Sequence, residues 1–176
     1  MAKTPEPWLR GPLPGLSPAL QPVATALIGA LEDIQAATDA LPPEQLWRQP
    51  GGAASVGFHL LHLSGSTDRL FTYARGEPLS DAQRGYLASE RALPAPPPSL
   101  ASLVAAWEAT VGHALAQLRA TADTDLDEYR AVGRAQLPST VRGLLFHAAE
   151  HAQRHTGQVV TTATIIRGLD LLAPVV

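Results

Sequence analysis

Leu20, Val23, Leu27, Ala30, Leu31, Ile34 and Leu41 recur at intervals of three, four and seven residues, a spacing that places side chains on one face of an α-helix. Ser17-Pro18 precedes them, a hydroxyl N-cap with proline at the first helical position, so a first helix is expected to begin there. LPPEQLW, at 41–47, breaks the pattern, and Trp47 is expected to pack where that turn meets the helices. A second helix is expected from Ala54 or Ser55 to Arg75, with Gly76 as its C-cap. It carries Phe58, Leu60, Leu61, Leu63, Leu70 and Phe71, and its first half is apolar almost all round, which predicts burial on more than one side. Ser99 caps a third helix bearing Leu100, Leu103, Val104, Trp107, Val111, Leu115 and Leu118. Pro138-Ser139 is expected to open a fourth, running to about Arg167 with Gly168 as C-cap.

The connections are long. Residues 77–98 hold a stretch, SDAQRGYLASE, that reads as a short helix, followed by ALPAPPPS, which is expected to be extended and polyproline-like. A link of this length in a small domain is often functional. Residues 121–137 form another connection, with a short extended piece expected around 128–136, and residues 1–16 read as an irregular N-terminal arm. No internal repeat of fixed period is present. The pattern predicts an all-α fold: one domain over 1–176, a four-helix bundle, up-and-down or crossover, with long connections after the second and third helices.

Composition narrows the function classes. Apolar residues make up 45% of the chain, ordinary for a globular protein, and charged residues only 16%. The net charge of -3, with arginines scattered and Lys3 the only lysine, gives no electrostatic footprint for nucleic acid or an anionic membrane. There is no cysteine, so disulfides and thiolate metal sites are excluded, and any thiol chemistry needs a thiol from outside. No apolar run approaches the roughly 18 residues of a bilayer span. The proline-broken N-terminus lacks a signal-peptide core, so a cytoplasmic protein is expected.

The six histidines carry the candidate chemistry. His147, His151 and His155 stand four apart in HAAEHAQRHTGQ. On a helix, such neighbours lie about 6 Å apart along the axis and roughly 40° round it, so the outer two are about 12 Å apart. One ion cannot hold all three, because its bonds to nitrogen are only about 2.0–2.1 Å. An adjacent pair can close on one ion, as in zinc-binding helices with two histidines four apart. Leu144, Ala148, His151, His155, Val159, Thr162 and Ile166 form one core-facing stripe, with His147 toward its edge. Two imidazoles in a bundle interior are costly unless hydrogen-bonded or bound to metal. A third ligand has to come from another helix. His113 lies beside the polar side of the third helix, while His59 and His62 lie on the apolar second one, three apart, so that one can face the centre and the other the edge. Ser64, Gly65 and Ser66 follow His62 and leave space beside it.

SVGFHLLHLS on the second helix, HAAEHAQRHTGQ on the fourth and the long link after the second helix resemble the DinB-like superfamily of four-helix bundles, which includes YfiT-like proteins and related thiol-dependent transferases. The resemblance covers about 18–168. It implies a metal triad of one histidine from the second helix and the two later ones of the fourth, which here are His62, His151 and His155. Thr156 stands where family members often carry arginine. Gly157 is expected to allow close helix packing and Gln158 to hydrogen-bond near the site. Glu90 and Glu150 are candidates for a base or for orienting a ligand, with Glu150 expected to point outward. His147 is expected at the edge of the site, His59 as a packing histidine, His113 at the surface, and Trp47, Trp107 and Phe58 in the core.

The resemblance implies a divalent cofactor, zinc, nickel or iron, and a small-molecule substrate. The implied reaction is transfer of a low-molecular-weight thiol, or hydrolysis, and bundles of this family often pair as homodimers. The alternative is a non-catalytic binding or stress-response module whose metal is structural or absent.

Overall fold

The computed structural model describes residues 4–90, 92–93 and 95–171, with backbone alone at 170 and 171. Five α-helices run in the order α1 (Gln21–Thr38), α2 (Val56–Ala74), α3 (Asp81–Ser89), α4 (Leu100–Ala120) and α5 (Val141–Leu171). A two-stranded antiparallel hairpin, β1 (Tyr129–Val132) with β2 (Leu137–Thr140), lies between α4 and α5. The four long helices are those expected from the pattern, and α3 is the short helix expected in the long link.

Capping residues set most boundaries. The Ser55 hydroxyl accepts from Phe58 N at the start of α2, and Ser99 does the same for Ser102 N in α4. Ser80 and Gln83 form a reciprocal capping box on α3. At the end of α2, Gly76 takes the positive φ (76°) that stops the helix.

Three boundaries differ from the pattern. Ser17-Pro18 forms a turn of its own, with Ser17 O accepting from Leu20 N, and α1 starts only at Gln21. Pro22, in the first turn, is the proline whose missing N–H costs the helix nothing. Pro138 and Ser139 belong to β2, paired with Ala131 and Arg130, so the extended piece is a hairpin reaching Thr140. Thr140 takes over the start of α5, its hydroxyl accepting from Gly143 N. Gly168 does not end α5, which continues to the last described residue. The polyproline-like expectation for 92–99 lies partly outside the described residues, at Pro94. The N-terminal arm docks on α1: Arg10 pairs with Glu32, and the Gln21 amide clasps Leu13 and Leu16.

The order of packing is a crossover rather than an up-and-down ring. α5 packs between α1 and α2, and α4 packs on the same two helices. Consecutive helices α1 and α2 therefore face each other across the diagonal, as do α4 and α5. The link between α1 and α2 crosses that diagonal with Leu41 and Leu46 buried. Its Trp47 ring lies flat on Gly57, where an added Cβ would stand 2.8 Å from the ring. Leu27, Ile34, Leu60, Leu63, Trp107, Leu118, Leu145 and Ile166 fill the centre. Among the described residues, no helix is long and apolar enough to cross a membrane.

Trp107 is 0% exposed, and its Nε1 has no hydrogen-bond partner among the described residues. Trp107→Ala is expected to lower unfolding stability by about 3–5 kcal/mol through the cavity it leaves. Trp107→Phe is expected to cost much less, because it also removes a buried unpaired N–H. Urea unfolding of both variants checks the difference.

Candidate metal centre

α2 and α5 pack along their lengths, and the contact brings four of the six histidines together. His62 Nε2 lies 3.0 Å from His151 Nε2. The His155 ring centroid is 4.8 Å from that of His62 and 4.5 Å from that of His151. These three offer one ring nitrogen each, all within 4.8 Å of one another. His59 is not a packing residue alone: it is buried, with Nδ1 3.0 Å from His155 Nδ1. His147 sits at the solvent edge, its side chain 52% exposed and 3.4 Å from Glu150. His113 lies on the exposed side of α4.

Glu90, just past the end of α3, reaches into this cluster with its side chain only 5% exposed. Its Oε2 lies 2.8 Å from His62 Nδ1, and its Oε1 accepts from Arg69 Nη1 at 2.6 Å. Burial alone would raise the Glu90 carboxyl, but the hydrogen bonds from His62 and Arg69 outweigh it and hold the group below its ordinary value. A carboxylate only accepts, so the proton in the contact belongs to His62 Nδ1. A neutral His62 then has a bare Nε2. The contact to His151 therefore runs from His151 Nε2–H to His62 Nε2. That leaves neutral His151 with a bare Nδ1, the buried ring nitrogen that has no partner among the described residues.

The donor set fits a divalent cation. Two nitrogens on a tetrahedral ion at about 2.0–2.1 Å are about 3.3–3.4 Å apart. The His62–His151 pair is slightly closer than that and the three nitrogens span up to 4.8 Å, so the rings have to rotate inward to share one ion. His62 has its proton on the far nitrogen, leaving Nε2 free. His155 meets His59 through Nδ1, and its Nε2 is bare when that Nδ1 is the donor. His151 has its proton on the near nitrogen, and the orphaned Nδ1 is where that proton can go. Burial, and then the charge of the neighbouring histidines, pushes His151 and His155 down to about 4. Burial and His62 lower His59 as well. His59, His151 and His155 are thus held toward the neutral form near pH 7, the form in which imidazole binds metal.

The surroundings correct several expectations. Phe58 is not a core residue but a half-buried wall of the site, stacked on His62 with ring planes 3° apart. Of the two candidate carboxylates, Glu90 hydrogen-bonds His62, and Glu150 pairs with Arg154 and His147 at the surface. Gly157 and Gln158 are exposed, and a Cβ on Gly157 would meet nothing, so neither supports the site. Thr156 is buried with its hydroxyl on Ala152 O. The space expected after His62 is used at Gly65, where a Cβ would run into the Glu90 carboxylate and stand 2.7 Å from Arg69 Nη1 and Tyr86 Cδ1. Two open clefts, of about 870 and 1090 Å³, lie elsewhere, and no histidine lines either. The site is marked by its chemistry rather than by its volume.

A helical bundle with a half-buried cluster of histidines shared by two helices defines the class. The DinB superfamily model matches residues 26–159, and the chain belongs to that superfamily. Among solved structures it is similar to YfiT from Bacillus subtilis, described as a probable metal-dependent hydrolase with an unusual four-helix bundle topology. The identity is 16%, covering 90% of this chain and 93% of that one, with a TM-score of 0.62. A Streptococcus pneumoniae protein is similar at 14% identity and a TM-score of 0.62, over 85% of this chain and 90% of that one. No curated protein matches the sequence.

The histidines make the metal-free protein sensitive to acid. Their folded values lie below the ordinary 6.5, so the unfolded chain binds more protons between about pH 6.5 and 4. The stability they contribute is complete above pH 6.5 and is lost as pH falls through 4. Urea midpoints of metal-free protein are expected to be level from pH 8 to 7 and to fall below 6.5. The double variant His151→Asn/His155→Asn is expected to lose most of the slope between pH 6.5 and 5. An unchanged slope would show that other groups carry it.

Proposed function

We infer that the protein is a divalent-metal-dependent enzyme whose ion is held by His62, His151 and His155. It delivers a small protic nucleophile, a low-molecular-weight thiol or water, to an electrophilic substrate. The observation that carries this reading is the grouping of three imidazole nitrogens from α2 and α5 within 4.8 Å of one another. The description of YfiT as a probable metal-dependent hydrolase supports the metal-dependent class.

A divalent ion on three neutral nitrogens keeps positions open and favours the deprotonated form of water or a thiol bound there. The chain supplies the rest. Glu90 holds the His62 proton at Nδ1, and His59 engages His155 on the side away from the site. Phe58 lies parallel to the His62 ring and sets an apolar face beside it. His147, half in solvent and with its ring centroid 5.6 Å from that of His151, is placed to exchange protons between the site and bulk water. With no cysteine in the chain, a thiol nucleophile has to be a free cosubstrate.

Untagged protein is expected to hold about one divalent ion per chain by elemental analysis. His151→Ala should lose the ion and keep a melting temperature close to that of the metal-loaded parent. A collapse of the melting temperature would assign the metal a structural role. Metal-loaded protein is then offered monobromobimane with glutathione, bacillithiol or mycothiol. Consumption of the electrophile that needs both metal and one thiol supports transfer, and consumption with metal alone supports hydrolysis. Inertness under every condition would leave a binding module.

A further inference from the structure

α3 has no fully buried residue, yet it lies along α2 in a fixed register. Its hold is largely polar. Gln83, Tyr86 and Glu90 are spaced three and four apart and share one face. Gln83 Nε2 donates to Asp68 Oδ2 and Thr72 Oγ1, both at 2.7 Å. Tyr86 OH donates to Leu61 O at 3.1 Å. Glu90 takes Arg69 and His62. Gly65 lies under the middle of this row, and its missing side chain is what lets Glu90, Arg69 and Tyr86 meet. Of the three anchors, only Glu90 touches a histidine of the triad.

We propose that Glu90 is a positioning residue: carried in by α3, it fixes the His62 proton on Nδ1 and so keeps Nε2 bare and aimed at the metal position, which couples ion binding to the seating of α3. This rests on the metal-binding reading above for its consequence, but the proton position is a property of the metal-free protein. The reason is chemical. An imidazole can carry its single proton on either nitrogen, and only a bare Nε2 can take an ion. An acceptor-only carboxylate at 2.8 Å from Nδ1 removes the choice. Arg69 keeps that acceptor charged and stationary, with Nη1 on one oxygen and Nη2 3.3 Å from the other. The ring plane is fixed from a third side by Phe58. The coupling is reciprocal: an ion on His62 holds the ring for Glu90, and through Glu90 holds α3.

The test reads the tautomer and the affinity separately. Nitrogen-15 spectra of metal-free protein are expected to show His62 as the Nδ1–H form in the parent and in Gln83→Ala. Glu90→Ala should show a mixture of forms. Glu90→Gln leaves one acceptor, which stays on Arg69, and turns its amide N–H toward His62 Nδ1, so it should move the proton to Nε2; this also covers the event that alanine, by stranding Arg69, disturbs folding. Zn²⁺ titration should give a 10–100-fold loss of affinity in Glu90→Ala and in Glu90→Gln, and less than threefold in Gln83→Ala. Hydrogen exchange of the α3 amides should slow when Zn²⁺ is added to the parent but not to Glu90→Ala. An unchanged His62 tautomer in Glu90→Ala overturns the proposal. So does a Gln83→Ala variant that loses as much affinity as Glu90→Ala, since α3 docking alone would then explain the effect. A parent that binds no Zn²⁺ would instead defeat the metal-binding reading, while the tautomer result would still decide the role of Glu90.

Discussion

The 3.0 Å contact between His62 and His151 joins two helices across 89 residues of chain, and the architecture around it follows from what that contact demands. Imidazoles placed between packed helices lose water, and a ring nitrogen without a partner there is costly. The protein meets the cost by clustering. Each of the four grouped histidines has at least one neighbour from another helix, and burial favours the uncharged form of His59, His151 and His155. Neutral, grouped imidazoles are what a divalent ion requires of nitrogen ligands. The cluster is therefore a polar core paired at all but one ring nitrogen, and the proposed metal site rests on the same rings.

Support for the three rings is uneven. His62 has a carboxylate behind it and His155 has another imidazole, whereas His151 has a buried nitrogen with no partner among the described residues. The unevenness tracks the proton. The carboxylate fixes the His62 proton on the far nitrogen, whereas His151 must relocate its proton first. The carboxylate comes with its own counter-charge, since a buried Glu90 or a buried Arg69 alone would be strongly unfavourable and the pair is tolerable only together. A short helix whose anchors are polar, rather than a long apolar one, suffices to deliver Glu90 because α2 offers it a matching row of groups.

The crossover topology explains the long connections. In a ring of consecutive neighbours, short loops are enough. Here α1 and α2 lie across the diagonal, so the link between them has to traverse the end of the bundle, pinned by Leu46 and by Trp47 on Gly57. The same arrangement puts the first-half face of α2, apolar almost all round, between α4 and α5. The histidines can then occupy the α5 side while Leu60 and Leu63 lie in the core.

The sequence by itself determined the helices and the caps at Ser55, Gly76 and Ser99, because three- and four-residue periodicity and capping are settled within one turn of chain. It also determined that His151 and His155 share the core stripe of α5 and that His147 lies off it. It could not distinguish the roles of His59 and His62 from their spacing alone, and family resemblance was needed to favour His62. The hairpin was half legible: Pro138-Ser139 reads equally well as a helix start, and only pairing with Arg130 and Ala131 makes it a strand. The tertiary structure alone decided that Glu90 meets His62 across 28 residues, that His59 meets His155 across 96, and that Phe58 walls the site. Such contacts depend on which helices are neighbours and how far each is rotated about its axis. Packing of the whole bundle sets those quantities, and no local window of residues encodes them.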